Sequence, residues 1–324
     1  MSGSPADEIL RLVFSFRRLA HGAAADCAAG GCEQCYALHR PKVEHFIEQG
    51  VPVHFVIPAF PAKSPNPEKV LGTLPDMAER VSLEFLQELC DYTRHYYEPG
   101  ARITICSDGH VFSDLVGVGD ADVATYGVEL EALLHAIGAD AINTYGLQDA
   151  FPGFPFDEQR AMLTSQYAVP VEDVRARALK EPAARNIFGG IHRFLFEDRM
   201  ATTTGRSRNS VREETKSLAY HVIQRSDAWS NLVEDFFPEA LRLSIHPQVS
   251  HSQKIGIHMM RTRDNWLTPW HGVALDDGEG VRLVKRSEAE QLGATLVRRG
   301  GRDSHYIAPD VSSSLKPLIE EVAS

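Results

Sequence analysis

The 324-residue sequence has no apolar run near the ~18 residues a membrane span needs. Its amphipathic N-terminal stretch, residues 9–20, carries Arg11, Arg17 and Arg18, charges that a secretory h-region does not tolerate. It has no basic block either. Lys and Arg number 33 against 44 Asp and Glu, a formal charge of −11. Such a chain repels phosphate polymers and anionic lipid at long range, which argues against nucleic acid and membrane as partners. A small anionic substrate needs only three or four cations and stays compatible with this balance. Cysteine is scarce and odd in number: Cys27, Cys32, Cys35, Cys90 and Cys106. In a chain long enough to stand without disulfides, that count points to reduced thiols and a cytoplasmic setting. Neither GxGxxG nor a P-loop is present, so a nucleotide cofactor has no direct support.

What is present is a periodic α/β pattern. Ser4 followed by Pro5, Asp7 and Glu8 caps a helix to about residue 20, and helical spacing resumes over 32–48. Short β-rich runs at Val53–Ile57, 102–106 and 139–143 alternate with helical stretches at 76–97 and 120–137, which predicts a parallel sheet. Residues 157–230 read as mostly helical. Further β-rich runs follow at 241–245, 256–259, 272–275, Val281–Val284 and 294–297, completing the same sheet or forming a small second one. The fold expected is α/β: a Rossmann-like, mostly parallel sheet flanked by helices, with a mixed β-containing C-terminal portion. Residues 1–324 are expected to form one unit: a helical segment (1–50), an α/β core (51–150), a helical insertion (151–238) and a β-rich portion (239–324).

Ligands of open α/β sheets sit beyond the carboxyl ends of the strands. Three such ends are polar. Phe60-Pro61-Ala62-Lys63-Ser64-Pro65-Asn66 follows the first strand; its prolines stiffen a loop that either holds Lys63 for function or leaves it solvated. Ser107-Asp108-Gly109-His110 follows the second, offering a hydroxyl, a carboxylate and an imidazole, or merely an Asp-Gly turn capping the next helix. Gly109 allows a turn of positive φ, and Asp114 is spaced so that it could pair with His110. In the third, Arg242, Ser244 and His246 share one strand face by period two, as on an edge strand or a site wall. Lys254 follows, and Trp266, Trp270 and His271 read as a pocket wall or as core anchors. Arg193, Lys216 and Arg225 add further candidate anion contacts, or a solvated helical face.

Cys27, Cys32, Cys35 and His39 form C-x4-C-x2-C-x3-H, enough in number and kind for structural zinc. The competing reading, reduced thiols packed against the core, is favoured here because three of these ligands would share one helix face.

The strand-end motifs together carry a resemblance. They are residues 60–66 with Lys69-Val70-Leu71-Gly72 and Leu74-Pro75-Asp76-Met77; Ser107-Asp108-Gly109 with Val111-Phe112-Ser113-Asp114-Leu115-Val116; Arg225-Ser226 with Ala228-Trp229-Ser230; Leu243-Ser244-Ile245-His246-Pro247-Gln248; Lys254-Ile255-Gly256; and Thr268-Pro269-Trp270-His271. Over residues 32–272 the chain resembles the isonitrile (isocyanide) synthase family, also called the pyoverdine/dityrosine biosynthesis family. The resemblance implies an enzyme of carbon–carbon lyase type in secondary metabolism. The α-amine of an aromatic amino acid attacks the ketone of ribulose 5-phosphate; proton abstraction, phosphate loss and carbon–carbon cleavage leave one sugar carbon on nitrogen as the isonitrile. Tyrosine is the expected substrate, with tryptophan the alternative.

No metal, flavin or nicotinamide is implied. An iron- and 2-oxoglutarate-dependent oxygenase is implied as pathway neighbour; a homodimer is expected only as the commonest outcome for an enzyme of this kind. Within this reading Lys63, Asp108, His110 and His246 are the expected catalytic residues. Ser107, Arg193, Lys216, Arg225, Ser244, Lys254, Trp270 and His271 are expected to bind substrate. Other classes remain open: a non-catalytic zinc-bearing α/β protein, or a hydrolase or transferase of phosphorylated sugars.

Overall fold

The computed structural model describes residues 3–20, 27, 30–261 and 267–309. Five strands, β1 (Val53–Ile57), β2 (Ala101–Cys106), β3 (Ile142–Tyr145), β4 (Leu241–Ser244) and β5 (Lys254–Gly256), form a sheet of order β3-β2-β1-β4-β5. Every pairing is parallel. β1 lies at its centre with all five residues buried, as a strand covered on both faces should be. The chain builds outward from β1 to β2 and β3, then returns to the other side of β1 for β4. The topological switch point, where ligands of such sheets bind, is therefore between β1 and β4.

One face of the sheet, with Phe55, Ile57, Ile103, Ile105, Leu241 and Leu243, packs on α1 (Pro5–Ser15), α2 (Glu33–Gln49), α3 (Met77–Thr93) and α5 (Asp120–Ala136). Their ends follow local chemistry: the Ser4 hydroxyl accepts from the Asp7 amide, and Asp76 with Glu79 forms a capping box at α3. The opposite face, with Val56 and Cys106, packs on Trp229, Leu232 and Val233 of α10 (Arg208–Phe236), a 29-residue helix. Three helices of the expected helical insertion, α7 (Phe156–Tyr167), α8 (Val171–Lys180) and α9 (Pro182–Thr202), pack on α10.

The C-terminal β-rich runs divide. β4 and β5 complete the parallel sheet, while β6 (Val273–Asp276), β7 (Val281–Val284), β8 (Thr295–Arg299) and β9 (Arg302–Ile307) form a mixed sheet of order β7-β6-β9-β8. Two differences from the sequence expectation have local causes. β3 starts at Ile142 rather than 139, because the Gln87 side chain accepts from the Ala141 amide and donates to Asp140. β9 is an addition whose polar opening, Arg302-Asp303, hides the alternation of its second half. Among the described residues no helix is long and apolar enough to cross a membrane.

Candidate active site

The loops leaving β1 and β2 lock together. The Ser107 hydroxyl donates to the Phe60 carbonyl at 3.0 Å. A Cβ on Gly109 would lie 1.9 Å from the Pro61 carbonyl oxygen, so glycine is needed there for close approach, not for the positive φ it would allow. Positive φ falls instead on Phe60, at 55°, whose ring meets Trp270 at 5.3 Å. The Ser64 amide donates to the Trp270 carbonyl, joining this loop to the short 3-10 turn Pro269–His271 ahead of β6.

Lys63 is the main correction. Its side chain is fully buried, and its Nζ lies 2.9 Å from Asp76 Oδ2 and 2.8 Å from Glu79 Oε2 while donating to the Pro269 carbonyl. The two carboxylates raise its pKa against the opposing effect of burial. An amine that forms a Schiff base needs a lowered pKa and access to substrate. Lys63 has neither, and this arrangement makes it an ion-pair anchor between the β1 loop and the start of α3. Burial holds Glu79 up at about 8, and its Oε1 accepts from Tyr126.

A second buried hub, which sequence reasoning missed, ties α9 to the same loop. Asp198 accepts from Ser64 Oγ at 2.9 Å, Asn66 Nδ2 at 3.3 Å and Lys69 Nζ at 2.5 Å. His271 senses this hub. Burial, with the charges of Lys69, His246 and Lys63, brings its pKa down to about 4 against the pull of Asp198. It is a neutral imidazole at physiological pH, with Nδ1 3.0 Å from Thr268 Oγ1.

Asp108 stands out at the end of β2. Its carboxyl is enclosed, Oδ1 has no hydrogen-bond partner, and burial pushes its pKa up to about 7. A carboxyl that exchanges its proton near neutrality can both accept and donate. The SDG turn in the sequence pointed to it, and the missing partner marks it as the strongest acid/base candidate in the site.

Across the switch point, Arg242 and Lys254 occupy paired positions on β4 and β5. The buried Arg242 guanidinium donates to the Ser230 carbonyl and hydroxyl, and its Nε is unpartnered; Lys254 Nζ donates to the same hydroxyl at 2.8 Å. Among the described residues neither cation forms an ion pair. Burial and the Arg242 charge lower the Lys254 pKa. Two adjacent cations with no carboxylate in ion-pair contact, Asp227 and Glu234 acting on Lys254 only from farther off, suit an oxyanion. Sequence reasoning placed Arg242 on this face without naming it as a ligand contact; the signal was its alternation with Ser244 and His246. The Ser244 hydroxyl accepts from the His246 amide and Gln248. The His246 ring reaches solvent but is hemmed in by protein, and burial with the charges of Arg18 and Lys254 lowers its pKa.

Other expected residues lie elsewhere. His110 stacks on Phe156 at 3.6 Å and pairs with Asp120 rather than Asp114. Asp120 also accepts from Ser113 and Arg160, so His110 belongs to a contact joining α4 (Gly109–Val116), α5 and α7. Asp114 is paired instead with Arg225, which also donates to the Val111 carbonyl, leaving that guanidinium occupied. Arg193 and Lys216 are exposed on α9 and α10. Trp266 lies outside the described residues. His39 is not with the thiols: it is buried against Phe14 and hydrogen-bonded to the Ser252 backbone, and burial brings its pKa down to about 4. The imidazole beside the cysteines is that of His251.

The chain has known relatives in sequence and fold. Residues 43–297 match the family described as pyoverdine/dityrosine biosynthesis protein. The chain is 47% identical to L-tryptophan isonitrile synthase AmbI2 of Fischerella ambigua, over 98% of its own length and 96% of the relative's. It is 44% identical to the L-tyrosine isonitrile synthase of Pseudomonas aeruginosa, over 94% of each. Its structure superposes on the crystal structure of PvcA from Pseudomonas aeruginosa with a TM-score of 0.90, covering 94% of this chain and all of that one at 44% identity. By sequence and by fold, the chain belongs to the pyoverdine/dityrosine biosynthesis family of isonitrile synthases.

Proposed function

We propose that this isonitrile synthase acts on an aromatic amino acid, tyrosine or tryptophan, with ribulose 5-phosphate as one-carbon donor. The observation that carries the reading is Asp108, whose carboxyl has one enclosed oxygen without a hydrogen-bond partner and is pushed up to about 7 by burial, at the carboxyl end of the sheet. A reaction that forms an imine, removes protons and expels phosphate needs one group able to exchange protons in both directions. It also needs cations for a phosphate or an α-carboxylate, and Arg242 with Lys254 fits that need. Phe60 and Trp270 were expected to wall the pocket, but both are buried in the core, packed on each other, and support the site loops from beneath. Neutral His271 and solvent-reached His246 supply further proton carriers on the β4 side of the switch point.

The two substrates differ at one polar tip, and relatives named for each resemble the chain to a similar degree, 47% and 48% for tryptophan against 44% and 43% for tyrosine. The test is incubation of the purified protein with ribulose 5-phosphate and either amino acid, with the isonitrile acid sought by mass spectrometry. Product from one amino acid names the substrate. No product from either, with a protein that melts cooperatively, refutes the reading.

A further inference from the structure

Away from the sheet's carboxyl ends, four soft ligand atoms converge. Cys27 Sγ lies 3.5 Å from Cys32 Sγ and 3.2 Å from Cys35 Sγ, and Cys32 Sγ lies 3.8 Å from Cys35 Sγ and 3.2 Å from His251 Nε2. All four atoms fall within 4.8 Å of one another. Tetrahedral zinc, with Zn–S of about 2.3 Å and Zn–N of about 2.0 Å, sets ligand–ligand separations of about 3.5–3.8 Å. The observed contacts sit at and slightly inside that range, leaving the small inward movement to be reversed when an ion enters.

A second observation separates a metal site from thiols that merely pack. Arg17 directs its guanidinium at two of the sulfurs, 3.7 Å to Cys27 and 3.2 Å to Cys35. A neutral thiol is a weak acceptor, so an arginine placed on two of them gains little. Three thiolates around a divalent ion leave one negative charge, which this guanidinium balances. His251 adds a third. It holds φ of 62°, a conformation non-glycine residues rarely adopt, and it is one of two such residues among those described. His39 secures the neighbouring backbone by its bond to Ser252.

We propose that Cys27, Cys32, Cys35 and His251 form a closed, structural zinc site. With four protein ligands there is no open coordination position, which sets the ion apart from the chemistry. Its role follows from what it would join. Cys32 and Cys35 stand at the start of α2, and His251 lies in the connection between β4 and β5 that carries His246. The same connection is already gripped by residues 16–20: the Arg18 amide donates to the Gly256 carbonyl, the Ala20 and Gln248 amides donate to the Gln248 and Arg18 carbonyls, and Arg18 Nη1 donates to the Ile245 carbonyl at 2.6 Å. Zinc would staple the far end of this connection and so hold the His246 end in place.

The test starts with metal content. Protein purified under reducing conditions should contain one zinc per chain. Removal with 1,10-phenanthroline should lower the melting temperature, and added zinc should restore it. Cobalt(II) replacing zinc should give the visible bands of a tetrahedral thiolate site. Cys32→Ser and His251→Asn should lose those bands, the asparagine being chosen because it accepts positive φ. Arg17→Gln should keep the site while weakening zinc about 10–100-fold, as loss of an outer contact does. A chain that holds no zinc as purified and shows no cobalt bands overturns the site. Iron in place of zinc overturns the choice of metal, and an unchanged cobalt spectrum in His251→Asn overturns the ligand set. None of these readouts depends on which amino acid the enzyme uses.

Discussion

Replacing Lys63 with methionine separates two readings of the β1 loop. If the lysine were a nucleophile, the variant would fold normally and lose turnover. The structure places its Nζ between Asp76 and Glu79, with the Pro269 carbonyl as third partner and no exposed side-chain surface. Because burial already holds Glu79 up at about 8, the triad at pH 7 is one ammonium, one carboxylate and one carboxyl shared within it. Methionine fills the volume but leaves a buried carboxylate without a counter-charge, a loss worth roughly 3–5 kcal/mol.

Unfolding entropy of about 2.1 cal/mol/K per residue gives about 0.7 kcal/mol/K over 324 residues, so the melting temperature should fall by about 4–7 °C. Circular dichroism melts at pH 7 measure it. Because the deficit comes from an uncompensated carboxylate, it should shrink as the pH falls toward ~4. Adding Asp76→Asn, which removes the other carboxylate on Lys63 and keeps a good helix cap, should recover part of it. Turnover below the melting transition should persist at a reduced level. A variant that melts with the wild type yet has no turnover would refute the anchor and restore the amine to the chemistry.

Asp108→Asn should move activity and stability in opposite directions. Removing the acid/base should lower kcat by about 10²–10⁴ and abolish the inflection near pH 7 in kcat/KM. A raised pKa in the folded state favours folding below the ordinary carboxylate value, and that advantage is lost as pH rises to about 7. Asparagine should therefore be more stable than wild type at pH 8, by at most ~4 kcal/mol at about 1.4 kcal/mol per decade of proton affinity, and similar near pH 4; equal melts at both would sink the argument. His246→Asn should lower kcat while shifting stability by less than about 0.5 kcal/mol, because the ring is solvent-exposed. Gly109→Ala should cost at least ~1–3 kcal/mol, since its Cβ collides with the Pro61 carbonyl, and it should depress kcat by prising apart the β1 and β2 loops. Wild-type melting and kinetics in that variant would show that the close approach carries no weight.

How much of this was legible in the sequence depends on the range of the interaction. β1 and β7 fall where the sequence reading put them, because their side chains alternate or run apolar over four or five residues. Asp108 was legible as the carboxylate of a turn at a strand end. Its missing partner was not, because being unpaired is a property of everything around it. Ion pairs across the fold were harder still. The capping box Asp76-x-x-Glu79 can be read locally. That both carboxylates would also close on Lys63 depends on how the β1 loop folds back over α3. His39 and His251 show the same limit: the first is close to the cysteines in sequence, the second 219 residues from Cys32 yet 3.2 Å away.

The strand order turns these separate misses into one cause. With β1 central and β4 returning beside it, the loops after β1, β2 and β4 are drawn to one end of the sheet, although up to 137 residues separate Ser107 from Ser244. Each loop carries charges that local spacing cannot assign. Packing then sorts them by whether a partner is close. Lys63 and Lys69 meet carboxylates and become anchors. Arg242 and Lys254 meet only a serine, and Asp108 leaves one oxygen unpaired, so these groups keep the capacity to bind or to exchange a proton. On the proposed reading, function resides in the charges that folding leaves uncompensated, and the buried ion pairs around them set the positions from which they act.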